Sequence, residues 1–132
     1  MLLCACLVSC GRQRAERVKV EVGGVPLSVE LARTDEERGR GLMGRRCLGA
    51  DEGMLFIYEP PEEIRLWMKN TAVPLSAAFA DEGGRIFRIV DMEPYETRIH
   101  PSGAPARYAL EVRRGWFEGN GIGTGDRIVL NN

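Results

Sequence analysis

Residues 17–31 read Arg-Val-Lys-Val-Glu-Val-Gly-Gly-Val-Pro-Leu-Ser-Val-Glu-Leu, and this stretch decides the fold class. Val18, Val20 and Val22 alternate with Arg17, Lys19 and Glu21. After Gly23-Gly24, Val25, Leu27, Val29 and Leu31 alternate with Pro26, Ser28 and Glu30. In a strand, successive side chains point to opposite faces, so each run puts its apolar residues on one side. Two such runs joined by Gly-Gly predict a tight hairpin. Pairing Val22 with Val25 sets Val20 opposite Leu27 and Val18 opposite Val29, a register in which every apolar residue shares a face.

Downstream, Thr34-Asp35-Glu36-Glu37 has the spacing of a capping box, with Thr34 as N-cap and Glu37 reaching back. It predicts a short helix from Asp35 to about Met43, kept weak by Gly39 and Gly41. Residues 45–52 read as a loop. Met54-Leu55-Phe56-Ile57-Tyr58 is apolar on both faces, as in a strand covered on two sides. Pro60-Pro61 should break it, and a second strand should carry Ile64, Leu66 and Met68 inward. Strands are expected at Leu75–Ala80 and Arg85–Val90, joined by the turn Asp81-Glu82-Gly83-Gly84. Residues 91–106 carry Pro94, Pro101, Gly103 and Pro105 and read as a long irregular loop. Arg107–Arg113 and Asp126–Leu130 are strands, with a single helical turn expected at Trp116-Phe117. About eight short strands with little helix give a mainly β (α+β) domain, a small closed or sandwiched antiparallel β-meander with one short capped helix.

Upstream of the hairpin the character changes. Residues 1–11 read MLLCACLVSCG, with no charge before Arg12. The run is too short to span a bilayer, which takes about 20 apolar residues, but it suits the core of an export signal. Its end, Leu7-Val8-Ser9-Cys10, resembles the lipobox of bacterial lipoprotein signals. That resemblance implies a signal segment at 1–9, lipid on Cys10, a polar tether at 10–16, and a β-rich domain from 17 to 132. The chain would then be held to a membrane by its N-terminal lipid, in the cell envelope and outside the cytoplasm. The alternative is a chance apolar N-terminus, serving as a frayed first strand.

The chain has 132 residues, enough for one core, and a net charge of −1, which gives no field to gather nucleic acid. Its 44% hydrophobic content argues against wholesale disorder. Beyond residue 10 the only cysteine is Cys47 and the only histidine His100, too few soft ligands for a structural zinc site. Cys47 reads as a buried, inert thiol and His100 as a solvated loop residue. Ser28, Ser76 and Ser102 lack a nucleophile elbow. The glycine-rich stretch Gly119–Gly123 lacks the following helix and acidic partner of a nucleotide fingerprint.

Several segments, in order, resemble the DUF192 (UPF0127) family: Glu37-Arg38 with Gly41-Leu42-Met43, then Arg45 and Leu48; Gly53-Met54-Leu55-Phe56; Trp67-Met68-Lys69-Asn70-Thr71 with Pro74-Leu75 and Phe79; Tyr108-x-Leu110-Glu111 with Gly115; and Gly125-Asp126. The ordered set covers roughly residues 17–130, and the pair GMLF and WMKNT is its most specific part. The resemblance implies a small β-rich domain, often exported and lipidated in some members, with no established molecular function. No catalytic residue can therefore be carried over. Members usually read Pro-Leu-Asp where this chain has Pro74-Leu75-Ser76.

The WMKNT segment carries the clearest chemistry. With Ile64, Leu66 and Met68 inward, the opposite face presents Arg65, Trp67 and Lys69, an indole flanked by two cations. Such a surface suits sugar rings and carboxylate or phosphate groups, with Asn70 and Thr71 adding hydrogen bonds. The bland reading is that Trp67 packs under the 91–106 loop while Asn70 and Thr71 shape a turn. Arg38 on the helix and Glu111 on the polar face of its strand either orient a ligand or form a structural pair. Glu63, Asp91, Glu93 and Glu111 are the carboxylates available for acid–base work, and spacing brings no two of them together. The leading expectation is a non-catalytic module that binds a small molecule or glycan through Arg38, Arg65, Trp67, Lys69, Asn70, Thr71 and Glu111, with no cofactor or metal. The alternatives are an enzyme acting on envelope polymers through Glu111 and Arg38, and an envelope scaffold.

Overall fold

In a computed structural model, residues 16–131 are described. The expected signal segment, lipidation site Cys10 and nearly all of the tether lie outside them. Strands β1 (Arg17–Val22) and β2 (Val25–Ala32) form the predicted hairpin, with Val18–Val29, Val20–Leu27 and Val22–Val25 paired as expected. Gly23 and Gly24 both have positive φ, 56° and 84°, which a two-residue turn of this hand requires and which glycine adopts without steric cost.

Helix α1 (Asp35–Arg40) follows, with both halves of the Thr34–Glu37 capping box formed. It stops three residues before the expected Met43, at Gly41, whose φ of 48° leaves the helical region. The chain then lays Leu42 and Leu48 against the sheet, both buried. The remaining elements are β3 (Glu52–Leu66), β4 (Leu75–Ala80), β5 (Ile86–Met92), β6 (His100–Arg113), α2 (Trp116–Gly119) and β7 (Ile128–Leu130).

Seven strands form one curled sheet in the order β5-β4-β6-β3-β2-β1-β7. Its two edges approach each other through an isolated Arg85–Arg127 bridge and backbone hydrogen bonds such as Ile86 N–H to Asp126 O (2.8 Å). A Cβ on Gly84 would collide with the Ile128 carbonyl, so this junction needs glycine. The mainly β class holds. The connectivity is richer than a meander, because β2 and β3 pair in parallel, Val29 beside Gly53 and Leu31 beside Leu55, with α1 and its loop as the crossover.

Four sequence expectations are corrected. Pro60-Pro61 does not end the strand: β3 continues to Leu66, and residues 58–61 bulge out of the ladder between the pairs Ile57–Tyr108 and Glu62–Ala106. A bulge tolerates proline because no ladder bond is asked of its nitrogen. The supposed loop 91–106 shrinks to 93–99, because His100–Ala106 pairs with the second half of β3. Finally, Cys47 is exposed and not buried, and His100 is buried, with Nε2 2.7 Å from a Glu96 carboxylate oxygen.

The sheet buries both faces. Val20, Val29, Leu55, Leu110 and Trp116 belong to the cluster on one side. Met54, Phe56, Leu66, Phe79 and Ala109 belong to the other, covered by Leu42, Leu48 and the end of β3. β4 is buried at all six positions, which explains its run of small residues. The second cluster fixes the position of the candidate site.

Candidate functional site

Glu111 lies on β6 between Met54 of β3 and Ala77 of β4. The sequence places it on a polar face. That face is instead the second buried one, and Glu111 is 4% exposed. Its carboxyl makes no hydrogen bond or ion pair with any described residue, and burial alone pushes its pKa up to about 8. An unpaired buried carboxyl escapes its desolvation cost by staying protonated, so near neutrality this one is mostly a neutral acid. The strand is held there by a close approach: a Cβ on Gly53 would sit 2.5 Å from the Glu111 carbonyl oxygen. This gives Gly53, the first residue of GMLF, a physical role.

Glu111 lines a cleft of about 290 Å³ walled by α1 and the turn after it, by the bulge of β3, and by the end of β3. Arg38, Arg65, Trp67, Thr71 and Glu111, all singled out in the sequence, share this concavity with Asp35, Arg40, Phe56, Tyr58 and Glu62. Lys69 and Asn70 are not among its lining residues.

The arginines differ in what they are free to do. Arg38 is held by the Arg33 carbonyl, the Ile57 carbonyl (2.9 Å) and Asp35, and its guanidinium stacks 4.6 Å from the centre of the Tyr58 ring. It braces α1 against the β3 bulge and does not pair with Glu111. Arg65 is exposed and forms no ion pair among the described residues. Trp67 is 41% exposed, and Lys69 Nζ lies 5.2 Å from its ring centre. Met68 between them is fully buried, so the predicted alternation persists one turn beyond the strand's end.

Asn70 and Thr71 shape the adjoining turn. Asn70 has a φ of 56°, a conformation asparagine tolerates better than most residues, and its carbonyl accepts from Gly44 N–H (2.9 Å). The Thr71 carbonyl accepts from Tyr95 N–H (2.9 Å), and its hydroxyl donates to the Lys69 carbonyl (3.1 Å). These bonds tie the α1 turn and the 93–99 loop to the rim of the cleft.

Two features had no sequence reading. Glu30 is 1% exposed and takes a bidentate bond from Arg45, both contacts 2.7 Å. The hydrogen bonds from Arg45 hold its carboxyl below the usual range. Tyr58 lines the cleft because of the bulge, which periodicity does not reveal. Ser76, where the resembled pattern has an acid, donates to Asp91 on the neighbouring strand (2.7 Å) and accepts from Gly115 N–H (3.1 Å). Among the described residues, no three His, Cys, Asp or Glu side chains gather as metal ligands, and no helix is long and apolar enough to cross a membrane.

Residues 18–130 match the DUF192 family, described as "Uncharacterized ACR". A crystal structure of a protein of unknown function from Novosphingobium aromaticivorans DSM 12444 is 36% identical, with a TM-score of 0.80, covering 85% of this chain and 84% of that one. A Sinorhizobium meliloti 1021 protein, described as a candidate transcription regulator, is also 36% identical, with a TM-score of 0.79 and coverage of 86% and 91%. No curated protein matches the chain.

Proposed function

The chain belongs to the DUF192 family, and on that footing we propose that it is a non-catalytic envelope module, lipid-anchored through Cys10, that binds a small molecule or glycan in the cleft above Glu111. One observation carries the binding reading: a carboxyl 4% exposed, without a partner among the described residues, lines an open concavity. A fold gains nothing from burying an acid that no protein group satisfies, which favours a partner that enters the cleft. Arg65 and Trp67 stand on the same wall and offer a cation and an aromatic surface. The anchoring part rests on Leu7-Val8-Ser9-Cys10.

A panel of small molecules and glycans, screened against wild type and Trp67→Ala, tests the site. Loss of affinity in a folded variant supports it, and unchanged affinity places the site elsewhere. Mass spectrometry of the mature N-terminus tests the anchor, and an unprocessed Met1 on the full-length product refutes it. A second reading, an enzyme acting on envelope polymers, draws on the raised pKa of Glu111, which suits a general acid near neutral pH. Turnover of a polymer that vanishes in Glu111→Gln would favour it.

A further inference from the structure

We infer that the cleft selects small hydroxylated acids of single-sugar size, and that Glu111 sets this selectivity by donating its hydrogen to the ligand's acid group while Arg65 supplies the countercharge. This deepens the binding reading of the cleft and rests on it.

The charge census of the walls favours an anion. Helix α1 and its turn contribute Asp35, Arg38 and Arg40; β3 contributes Tyr58, Glu62 and Arg65; the flanking positions of β3 and β4, Met54 and Ala77, are uncharged. Asp35 is already taken by Arg38. That leaves Arg40 and Arg65 against Glu62, a lining that welcomes negative charge as long as Glu111 carries none. A hydrogen bond from a neutral carboxyl to a carboxylate or phosphate oxygen is charge-assisted and strong. The same carboxyl, once ionised, repels the anion in a site with little water to screen it. Burial keeps Glu111 mostly protonated near neutrality and lets it ionise in mild alkali.

The volume sets the ligand's size. About 290 Å³ is at the small end of the range for ligand clefts and has room for one sugar ring. Hydroxyls on that ring would meet polar groups of the lining such as Thr71 and Glu62, and its apolar face the half-exposed Trp67.

The experiment is isothermal titration calorimetry on the full chain with sodium D-glucuronate and with D-glucose, at pH 6.5 and pH 9.5. Glucuronate is ionised at both, so only the protein changes charge. The expected result is glucuronate binding at least tenfold tighter than glucose at pH 6.5, weakened at least tenfold at pH 9.5. Glu111→Gln, checked for folding by circular dichroism, loses the pH response, and Arg65→Ala weakens glucuronate at both pH values. Equal binding of the two sugars, or pH-independent glucuronate binding, overturns the inference; if Trp67→Ala still abolishes that binding, the cleft remains the site. Glucuronate binding untouched by Trp67→Ala and Arg65→Ala overturns the cleft reading itself. Binding of neither sugar overturns the proposed ligand class.

Discussion

Arg45→Ala should unfold the domain more readily than any comparable surface change, through Glu30. In the native protein Glu30 is 1% exposed and takes two 2.7 Å bonds from Arg45, with Arg17 3.5 Å away as a weaker second cation. Removing one partner of a buried pair typically costs about 3–5 kcal/mol, because the remaining charge stays desolvated. Arg17 offsets part of this, so the expected loss is about 3 kcal/mol, read by urea unfolding at pH 7. Acid narrows the difference. Arg45 holds the folded pKa of Glu30 below its unfolded value, so the pair's stabilisation is present above the unfolded carboxylate range and fades as pH falls through the folded pKa. In Arg45→Ala the buried Glu30 prefers its proton, and the deficit should shrink toward pH 4. The double variant Glu30→Met/Arg45→Met should recover most of the loss, since apolar replacements of a buried pair are often neutral or better. A loss under about 1 kcal/mol, or a deficit that grows in acid, would refute the reasoning.

Other outcomes follow from the same geometry. Gly53→Ala should cost roughly 1–3 kcal/mol in denaturant unfolding, because its Cβ would meet the Glu111 carbonyl at 2.5 Å and push two central strands apart. Thr34→Ala removes the cap of α1 and should cost about 1 kcal/mol by the same assay. Glu111 is a carboxyl whose folded pKa is raised, to about 8. Its contribution to stability is therefore complete below the unfolded carboxylate pKa and is lost as pH rises through about 8, at up to roughly 1.4 kcal/mol per pH unit. Glu111→Gln should flatten that stretch of the stability–pH curve, measured by thermal unfolding between pH 5 and 9.

Local patterns were legible in the sequence where local physics decides them. The hairpin register follows from period-two alternation around Gly23-Gly24, and the cap of α1 from Thr34 and Glu37. Arg38, Arg65, Trp67, Thr71 and Glu111 were singled out by residue type and share one cleft. What stayed hidden depends on pairing between distant segments. The proline pair hides a bulge, because a strand can resume beyond it only if a partner such as Ala106 is waiting. The His100–Ala106 strand was masked by its own Pro101, Gly103 and Pro105 for the same reason. Glu111 shows an acid at a strand position, but its burial comes from α1's loop and the end of β3 folding over that face. Glu30 and Arg45 meet across a parallel crossover that no local pattern announces.

The account turns on Glu111 being a carboxyl held neutral against an open cleft, and titration of its side-chain carbon by NMR measures that directly. The expected midpoint is near 8, in a protein that stays folded throughout the titration. A midpoint in the ordinary carboxylate range, about 4–5, would contradict the account, because Glu111 would then be an ionised acid with a partner or a solvent shell of its own.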